Sequence, residues 1–425
     1  MTPRTRLLAS TALIATTAMG LTACGGDDKS SDSGGGGSTS ASSVTVLSSL
    51  PLQGASKDQL AALVNGIKLA LNQAGGKAGG VSIKYDSLDD STAQAGKWDP
   101  TQTGANARKA VSDKSVVAYI GEFNSGASQI SMPVLNGAGI AQISPANTAV
   151  GLTTNEPGSE PGEPAKYAPT GKKTYMRIVP RDTIQAAALL TTLKTDQCTK
   201  VAVADDQETY GAGLAKVMGI KAKDAGVAIT STTGIQPDAA NFRAYAAKIK
   251  GEGADCFVFS GVTANGAAQI YKDVAAAIPG VKLYGPDGVC ESGLTNPSKG
   301  GLPKSLAKQF HCTVATLDLK SYPGGDAFLK AYTAAYKDAA PDPYAIYGYE
   351  AMKLVIDTIA KLGPDKVSRA DVLAALLATK DRDSALGTYS FDKNGDTTLT
   401  DYGLYGVGAD GNPVFQKTLK AAATR

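Results

Sequence analysis

Two turns in this 425-residue sequence carry groups that could hold a negatively charged ligand atom. Residues 121–128 and residues 144–148 each follow a short apolar run typical of a buried strand. Free backbone N–H groups and hydroxyls at such turns suit an anion. Helix capping would explain either turn alone, whereas the two together favour one shared carboxylate. The candidate residues are Ser125, Ala146, Asn147 and Thr148.

Two further positions carry groups that could face a positive charge. Tyr210 follows the strand-like run 201–204, and Asp287 follows the run 281–284. In open parallel sheets, ligands bind outside the carboxyl ends of the strands. A carboxylate and a phenol that face an anion site across a cleft would hold a zwitterion through charge-assisted hydrogen bonds.

Residues for common catalytic chemistry are scarce. His311 is the only histidine, which leaves little material for a histidine-based zinc site or a Ser-His-Asp triad. The nucleophile-elbow, P-loop and zincin motifs do not occur in the sequence. Serines and acids are numerous enough for a Ser-Lys or paired-carboxylate hydrolase, but no arrangement points to one. We therefore expect no enzyme, no metal and no cofactor.

The elements that must position these residues follow an alternating pattern. From Val44 onward, short apolar runs alternate with helical stretches, which is the pattern of a parallel sheet covered on both faces. The alternation restarts near Val201, after a Pro-, Gly- and Glu-rich excursion at 155–173. Two α/β lobes with Rossmann-like parallel sheets explain two series better than one large sheet. Near the C-terminus, Asn394 and Gly395 are typical of the turn of a hairpin.

The N-terminus predicts export and a lipid anchor. Basic residues precede an apolar run of about fifteen residues that leads to Cys24. Residues 25–43 are almost entirely Gly, Ser, Asp and Thr, a composition typical of a flexible tether. The run Leu21-Thr22-Ala23-Cys24 resembles the lipobox of bacterial lipoproteins, in which the signal is cut before the cysteine and its thiol is lipidated. An ordinary signal peptide with an accidental cysteine is the alternative.

Charge and cysteine content narrow the class of protein. Removing residues 1–23, which hold two arginines and no acid, lowers the formal net charge from +3 to +1, and no basic run suggests a nucleic-acid partner. The four other cysteines, an even number in an exported chain, favour disulfides. Parallel neighbouring strands would bring Cys198 and Cys256 together and leave Cys290 for Cys312. The two other pairings remain open at this point.

The sequence resembles the type I periplasmic binding proteins of ABC importers, in particular the branch that binds leucine, isoleucine and valine. The resemblance covers the whole body from about Val44 to the C-terminus. Its most specific segments are Tyr119-Ile-Gly121 with the serine turn after it, Ile143-Ser-Pro-Ala-Asn-Thr-Ala149, the run 205–211 with Tyr210, and Gly285-Pro-Asp-Gly288.

The resemblance implies two lobes joined by three crossings that close over a ligand like a hinged clamp. Ser125, Thr148 and the backbone around Ala146 would bind the ligand α-carboxylate, while Tyr210 would close from the second lobe. Asp287, where this branch commonly has Glu, would pair with the α-ammonium. The implied segments are a signal peptide at 1–23, a tether at 24–43, the first lobe at 44–178 and 318–385, and the second lobe at 179–317 and 386–425 with its C-terminal hairpin.

Two departures from the branch concern the side-chain pocket. Thr263 stands where the branch places a second tyrosine, and an insertion at 94–101 brings in Trp98, the only tryptophan. These differences concern the part of the site that would contact the ligand side chain. They leave the predicted contacts to its zwitterionic head unchanged.

The predicted function is therefore capture of a small amino acid, of the branched-chain type or a related zwitterion or amide. The expected partners are an ABC permease and its ATPase, at the outer face of the cytoplasmic membrane, and the chain itself is expected to be a monomer. A ligand-sensing subunit for a separate signalling protein and, less favoured, an envelope enzyme are the alternatives.

Overall fold

Two β-sheets organise the computed structural model, which describes residues 42–420. The first sheet has the strand order β2-β3-β1-β6-β7-β8, and only the short β2 runs antiparallel to its neighbour. A separate two-stranded ribbon pairs β4 with β5, and β5 lies in the predicted insertion at 94–101. The strands of this half are β1 (Ser43–Leu50), β2 (Lys77–Ala78), β3 (Val81–Asp89), β4 (Ser91–Thr92), β5 (Lys97–Trp98), β6 (Val116–Ile120), β7 (Ala141–Ser144) and β8 (Tyr175–Arg177).

The second sheet has the order β10-β9-β11-β12-β13-β14-β15. Its first five strands are parallel, and the last two form an antiparallel edge. Strands β6, β9 and β11 are buried along their whole length, as expected for a sheet covered on both faces. The strands are β9 (Val201–Asp205), β10 (Ile229–Gly234), β11 (Cys256–Ser260), β12 (Lys282–Gly285), β13 (Phe310–Val314), β14 (Asp401–Val407) and β15 (Pro413–Lys420).

Helices pack on both sheets, and each set of helices forms a lobe with its sheet. Helices α1–α3 and α10–α12 pack with the first sheet and form the first lobe with it, whereas α4–α9 pack with the second sheet and form the second lobe. Their bounds are α1 (Lys57–Gln73), α2 (Pro100–Ser112), α3 (Ser125–Gly137), α4 (Asp182–Thr195), α5 (Thr209–Ala225), α6 (Arg243–Gly251), α7 (Ala268–Ala277), α8 (Ser292–Thr295), α9 (Lys304–Ala307), α10 (Gly325–Tyr336), α11 (Tyr344–Leu362) and α12 (Arg369–Leu377).

The chain passes between the lobes three times, which confirms the predicted fold class. It crosses after β8, returns after β13 and crosses again before β14. An ion pair fastens the first crossing to the third: Arg177 Nε lies 2.6 Å from Asp396 Oδ1, and Arg181 Nη1 lies 2.8 Å from Asp396 Oδ2. Because Arg177 is fully buried, its positive charge would destabilise the protein without the Asp396 carboxylate beside it.

The predicted C-terminal hairpin is displaced along the chain. Its strands are β14 and β15, and Gly411, with a φ of +85°, lies in their turn. The turn at Asn394 and Gly395 instead closes a small loop, in which the Asp392 carboxylate accepts the Asn394 and Asp396 N–H groups at 2.7 and 3.0 Å. The predicted turn at Asn394 and Gly395 exists, but the turn of the C-terminal hairpin lies at Gly411 instead.

Both cysteine pairs that the sequence favoured are at bonding distance. Cys198 and Cys256 have a Cα–Cα distance of 5.8 Å, and Cys290 and Cys312 one of 5.6 Å. The first pair joins the starts of β9 and β11, which are neighbouring parallel strands. Cys24 lies outside the described residues. Within residues 42–420, no helix has both the length and the apolar character needed to cross a bilayer.

Candidate ligand-binding site

A narrow cavity lies between the two lobes at the carboxyl ends of their parallel strands. Its volume is about 30 Å³, enough for about two water-sized groups. Five of the seven predicted ligand residues line it, whereas Asn147 and Thr263 do not. The lining residues are Ser56, Gln59, Phe123, Asn124, Ser125, Ala146, Thr148, Tyr210, Val262, Asp287, Gly288 and Tyr344.

The anion side of the cavity is formed by the start of α3. Ser125 is the first residue of this 13-residue helix, so the N–H groups of its first turn have no partner within the helix and point toward the end where Ser125 lies. The Ser125 hydroxyl is buried and accepts the Ala149 N–H at 3.4 Å. Thr148 brings a second hydroxyl to the same cavity.

The second turn has fewer free N–H groups than the sequence suggested. The Ser144 hydroxyl accepts the N–H groups of Ala146 and Asn147, at 3.2 and 2.9 Å. The Asn147 side chain has hydrogen-bond partners at both its nitrogen and its oxygen. Its amide N–H donates to the Phe123 carbonyl at 2.7 Å, and its oxygen accepts from the Ser128 and Tyr175 hydroxyls. Asn147 therefore holds the two turns together instead of lining the cavity.

The opposite side of the cavity is formed by the Asp287 carboxyl group. Tyr210 donates its hydroxyl to Asp287 Oδ1, Gln185 donates an amide N–H to the same oxygen at 3.0 Å, and the Tyr344 hydroxyl donates to Oδ2 at 3.2 Å. Burial raises the pKa of Asp287, and these hydrogen bonds offset only part of that rise. A cationic group beside Asp287 would stabilise its charged form.

A second carboxyl group, that of Asp182, lies close to Asp287. Asp182 begins α4 and is fully buried, and neither of its carboxyl oxygens has a hydrogen bond of good geometry to any residue in 42–420. Burial raises its pKa, and the negative charge of Asp287 raises it further, although the Thr148 hydroxyl lies near enough to act in the other direction. Two acidic groups so close together favour a cationic ligand group on this side of the cavity.

Thr263 does not line the cavity but is hydrogen-bonded to a residue that does. Its hydroxyl donates to the Gly288 carbonyl at 3.4 Å, and its neighbour Val262 lines the cavity instead. Sequence reasoning missed Gln185 and Tyr344, which come from helices and not from strand ends. Helix α4 was not predicted, because its buried side chains include polar ones as well as Leu189 and Leu193 and give no clear helical stripe.

The predicted insertion joins the two lobes beside the cavity. Its β4–β5 ribbon carries Lys97, whose Nζ lies 2.5 Å from Glu208 Oε1 and 2.6 Å from Asn265 Oδ1. Trp98 donates its indole N–H to Glu208 Oε2 at 3.0 Å. The Trp98 ring also packs on Gly126, where an added Cβ would lie 2.7 Å from the indole Cζ2. These contacts fix the ribbon against both α3 and the second lobe.

Comparison with known proteins identifies the family. The family model described as periplasmic binding protein matches residues 43–412. The chain belongs to this family. The leucine-specific-binding protein of Salmonella typhimurium is 26% identical over 363 residues, which are 83% of this chain and 88% of that protein. An amino acid binding protein of Pseudomonas aeruginosa is 25% identical over 335 residues, which are 79% of this chain and 81% of that protein.

Solved structures of periplasmic binding proteins share the fold. A leucine-binding protein of Thermotoga maritima superposes with a TM-score of 0.74 at 20% identity, over 89% of this chain and 99% of its own. A solute-binding protein of an ABC transporter from R. palustris, in complex with benzoate, superposes with a TM-score of 0.70 at 21% identity, over 88% of this chain and 96% of its own. The chain is therefore a solute-binding protein with the fold of this family, and the fold alone does not define the ligand.

Proposed function

We propose that this protein captures a small amino acid or a related zwitterion by closing its two lobes, and delivers it to an ABC permease. The observation that carries the proposal is the pairing of opposite chemistries across one narrow cavity. From the first lobe, Ser125 and Thr148 offer hydroxyls beside a helix N-terminus, and from the second lobe Asp287 brings an acidic group to the same cavity. An α-carboxylate and an α-ammonium match these two sides.

The acidic side of the cavity favours a zwitterion over a simple acid. An aromatic carboxylate would leave the Asp287 carboxyl group without a cationic partner, although it could use the α3 end of the cavity. Charges buried without a partner destabilise a complex by several kcal/mol. The names of the relatives include leucine-specific and amino acid binding proteins, and this agrees with the same choice.

We further propose that the protein is exported and held at the outer face of the cytoplasmic membrane by a lipid on Cys24. The support is the sequence pattern at the N-terminus, together with a family of periplasmic binding proteins. A monomer anchored in this way would present the ligand to a permease at a raised effective concentration.

A thermal-shift screen of amino acids, amides and aromatic acids, followed by calorimetry on the best ligand, tests the binding proposal. A ligand at a hundred times its dissociation constant adds about 2.7 kcal/mol to the free energy of unfolding. We expect Asp287→Ala to cost about 2 to 4 kcal/mol of binding free energy for an amino acid, because it leaves a buried ammonium unpaired.

Asp326→Ala is the matched control, since Asp326 is an exposed acid on α10 that does not line the cavity. It should leave the affinity unchanged. Tight binding of an aromatic acid with no binding of any amino acid would overturn the zwitterion assignment, as would unchanged amino acid affinity in Asp287→Ala.

A further inference from the structure

A second cavity adjoins the ligand cavity and is lined by acidic residues. Its volume is about 260 Å³, and Gln59 and Tyr344 line both cavities. Four acidic residues line it, whereas Lys299 is its one basic lining residue. The four are Asp58, Glu291, Asp338 and Asp342.

Glu291 is the residue in this second cavity that lacks a partner. Its side chain is 3% exposed, and neither carboxyl oxygen has a hydrogen bond of good geometry within the described part of the chain. The hydroxyls of Thr263 and Ser56 lie close to it, but Thr263 already donates its proton to the Gly288 carbonyl. A buried carboxylate of this kind destabilises the protein unless a cation or a proton neutralises it.

The other acids of the cavity already have donors. Asp342 Oδ2 accepts the Gln59 amide N–H at 3.1 Å, and Asp342 Oδ1 accepts the Tyr344 N–H at 2.9 Å. Asp58 is paired with Lys299 at 2.5 Å. Four acids and a single lysine, itself paired with Asp58, leave acidic groups in excess among the described residues that line the cavity.

Size also argues for use of both cavities by one ligand. The first cavity, at about 30 Å³, has room for only part of an amino acid, whereas the second, which shares Gln59 and Tyr344 with it, offers several times that volume. Asp287 and Glu291 are separated by a single turn of chain that includes Cys290. The acidic cavity therefore begins close to the position of the α-ammonium.

We propose that the acidic cavity is a subsite for a second cationic group, so that the preferred ligand is an amino acid with a basic side chain. This inference rests on the proposed function: the amino acid head occupies the first cavity and the side-chain ammonium or guanidinium pairs with Glu291. Asp342, which Gln59 and Tyr344 hold in place, adds negative charge to the same subsite.

Calorimetry with lysine, arginine and norleucine on the full mature chain tests this proposal, because norleucine has the lysine chain without its terminal amine. We expect lysine or arginine to bind at least tenfold more tightly than norleucine. Glu291→Gln, which preserves the shape of the side chain, should lower the affinity for the basic ligand at least tenfold and change the affinity for norleucine less than twofold.

Asp342→Asn gives a second test in case Glu291→Gln folds poorly, and it should reduce the preference for the basic ligand in the same direction. Asp326→Asn is the control and should change nothing. Equal affinities for lysine and norleucine, insensitive to both substitutions, would overturn the subsite while leaving the zwitterion site intact. Absence of binding by every amino acid, with an aromatic acid bound instead, would overturn the proposed function and the subsite with it.

Discussion

Trp98 donates its indole N–H to Glu208 at 3.0 Å, and this hydrogen bond joins the first lobe to the second beside the ligand cavity. Lys97, the preceding residue, forms an ion pair with the same carboxylate at 2.5 Å. The side chains of Lys97 and Glu208 are 30% and 19% exposed, so the pair is partly shielded from solvent. In a protein that closes on its ligand, such a contact between lobes stabilises the closed form.

We expect Glu208→Gln to weaken ligand binding about three- to tenfold, since a partly buried pair contributes on the order of 1 kcal/mol. Most of the change should lie in the dissociation rate, because the contact forms between lobes that have already closed. Stopped-flow dissociation kinetics measure this. Glu252→Gln removes an ion pair with Lys248 at the C-terminal end of α6 and is the control. Equal dissociation rates in both variants would show that the contact does not hold the closed form.

Asp396→Asn should destabilise the protein by about 3 to 5 kcal/mol at neutral pH, because it leaves the buried Arg177 without its anion. Burial acts to raise the pKa of Asp396, but Arg177 and Arg181 outweigh it, and the pKa is lowered. The native state therefore binds this proton less tightly than the unfolded state. The stabilisation is complete above pH 4 and is lost as the pH falls below that value.

Urea unfolding at several pH values checks this prediction. The wild-type protein should lose stability below about pH 4 more steeply than Asp396→Asn does. Glu156→Gln removes only the exposed partner of Arg181 and should cost less than about 1 kcal/mol. If the free energy of unfolding falls equally steeply below about pH 4 in wild type and in Asp396→Asn, Asp396 is not the group responsible for the loss.

Asp90→Asn should change the free energy of unfolding in the direction opposite to Asp396→Asn. Asp90 and Glu122 are fully buried in the first lobe, and burial together with their mutual repulsion raises the pKa of Asp90. A carboxyl group whose pKa is raised on folding stabilises the native state at low pH and loses that contribution as the pH rises past its unfolded value. The variant should therefore gain stability relative to wild type as the pH increases above about 4.

The neighbouring Asp89 provides the matched control for Asp90. Burial acts to raise its pKa, but hydrogen bonds from Ser91, Leu52 and Gln53 lower it overall. Asp89→Asn should thus destabilise the protein at neutral pH while Asp90→Asn does not. Thermal unfolding of the two variants at pH 5 and pH 8 separates them, and a loss of stability in Asp90→Asn that grows with pH would refute the prediction.

Cys24→Ala should release the protein from the membrane into the medium with its ligand affinity unchanged. The thiol is the proposed attachment point of the lipid, and the cavity residues lie more than twenty positions along the chain from it. Fractionation of cells with an antibody to the protein, followed by calorimetry on the released form, measures both parts. Ser43→Ala is the control. Retention of the cysteine variant at the membrane would rule out the anchor.

The sequence predicted several of the site residues at turns that directly follow strands, and it missed Gln185 and Tyr344, which come from helices α4 and α11. Ser125, Thr148, Tyr210 and Asp287 follow strand-like runs, and a parallel sheet brings such positions to one edge. Gln185 reaches Asp287 only because the chain crosses between lobes just before α4. That placement depends on packing between elements distant in sequence, and local periodicity carries no information about it.

A second difference between the prediction and the structure concerns backbone N–H groups that already have a hydrogen-bond acceptor. The turn at 144–148 was expected to offer free amides, but Ser144 occupies those of Ala146 and Asn147. The sequence contains the same serine, yet nothing in its spacing indicates whether its hydroxyl turns inward to its own backbone or outward to a ligand.

The Cys290–Cys312 bond has a consequence for the compartment in which the protein works. Cys290 lies between Asp287 and Glu291, and its bond fastens this segment to β13. The two acidic groups proposed to hold the ligand are therefore positioned by the same covalent link. Reduction of this bond would release them together, whereas the hydrogen-bonded strands would still hold the second lobe. Discrimination among ligands would then depend on an oxidising environment even where the fold does not.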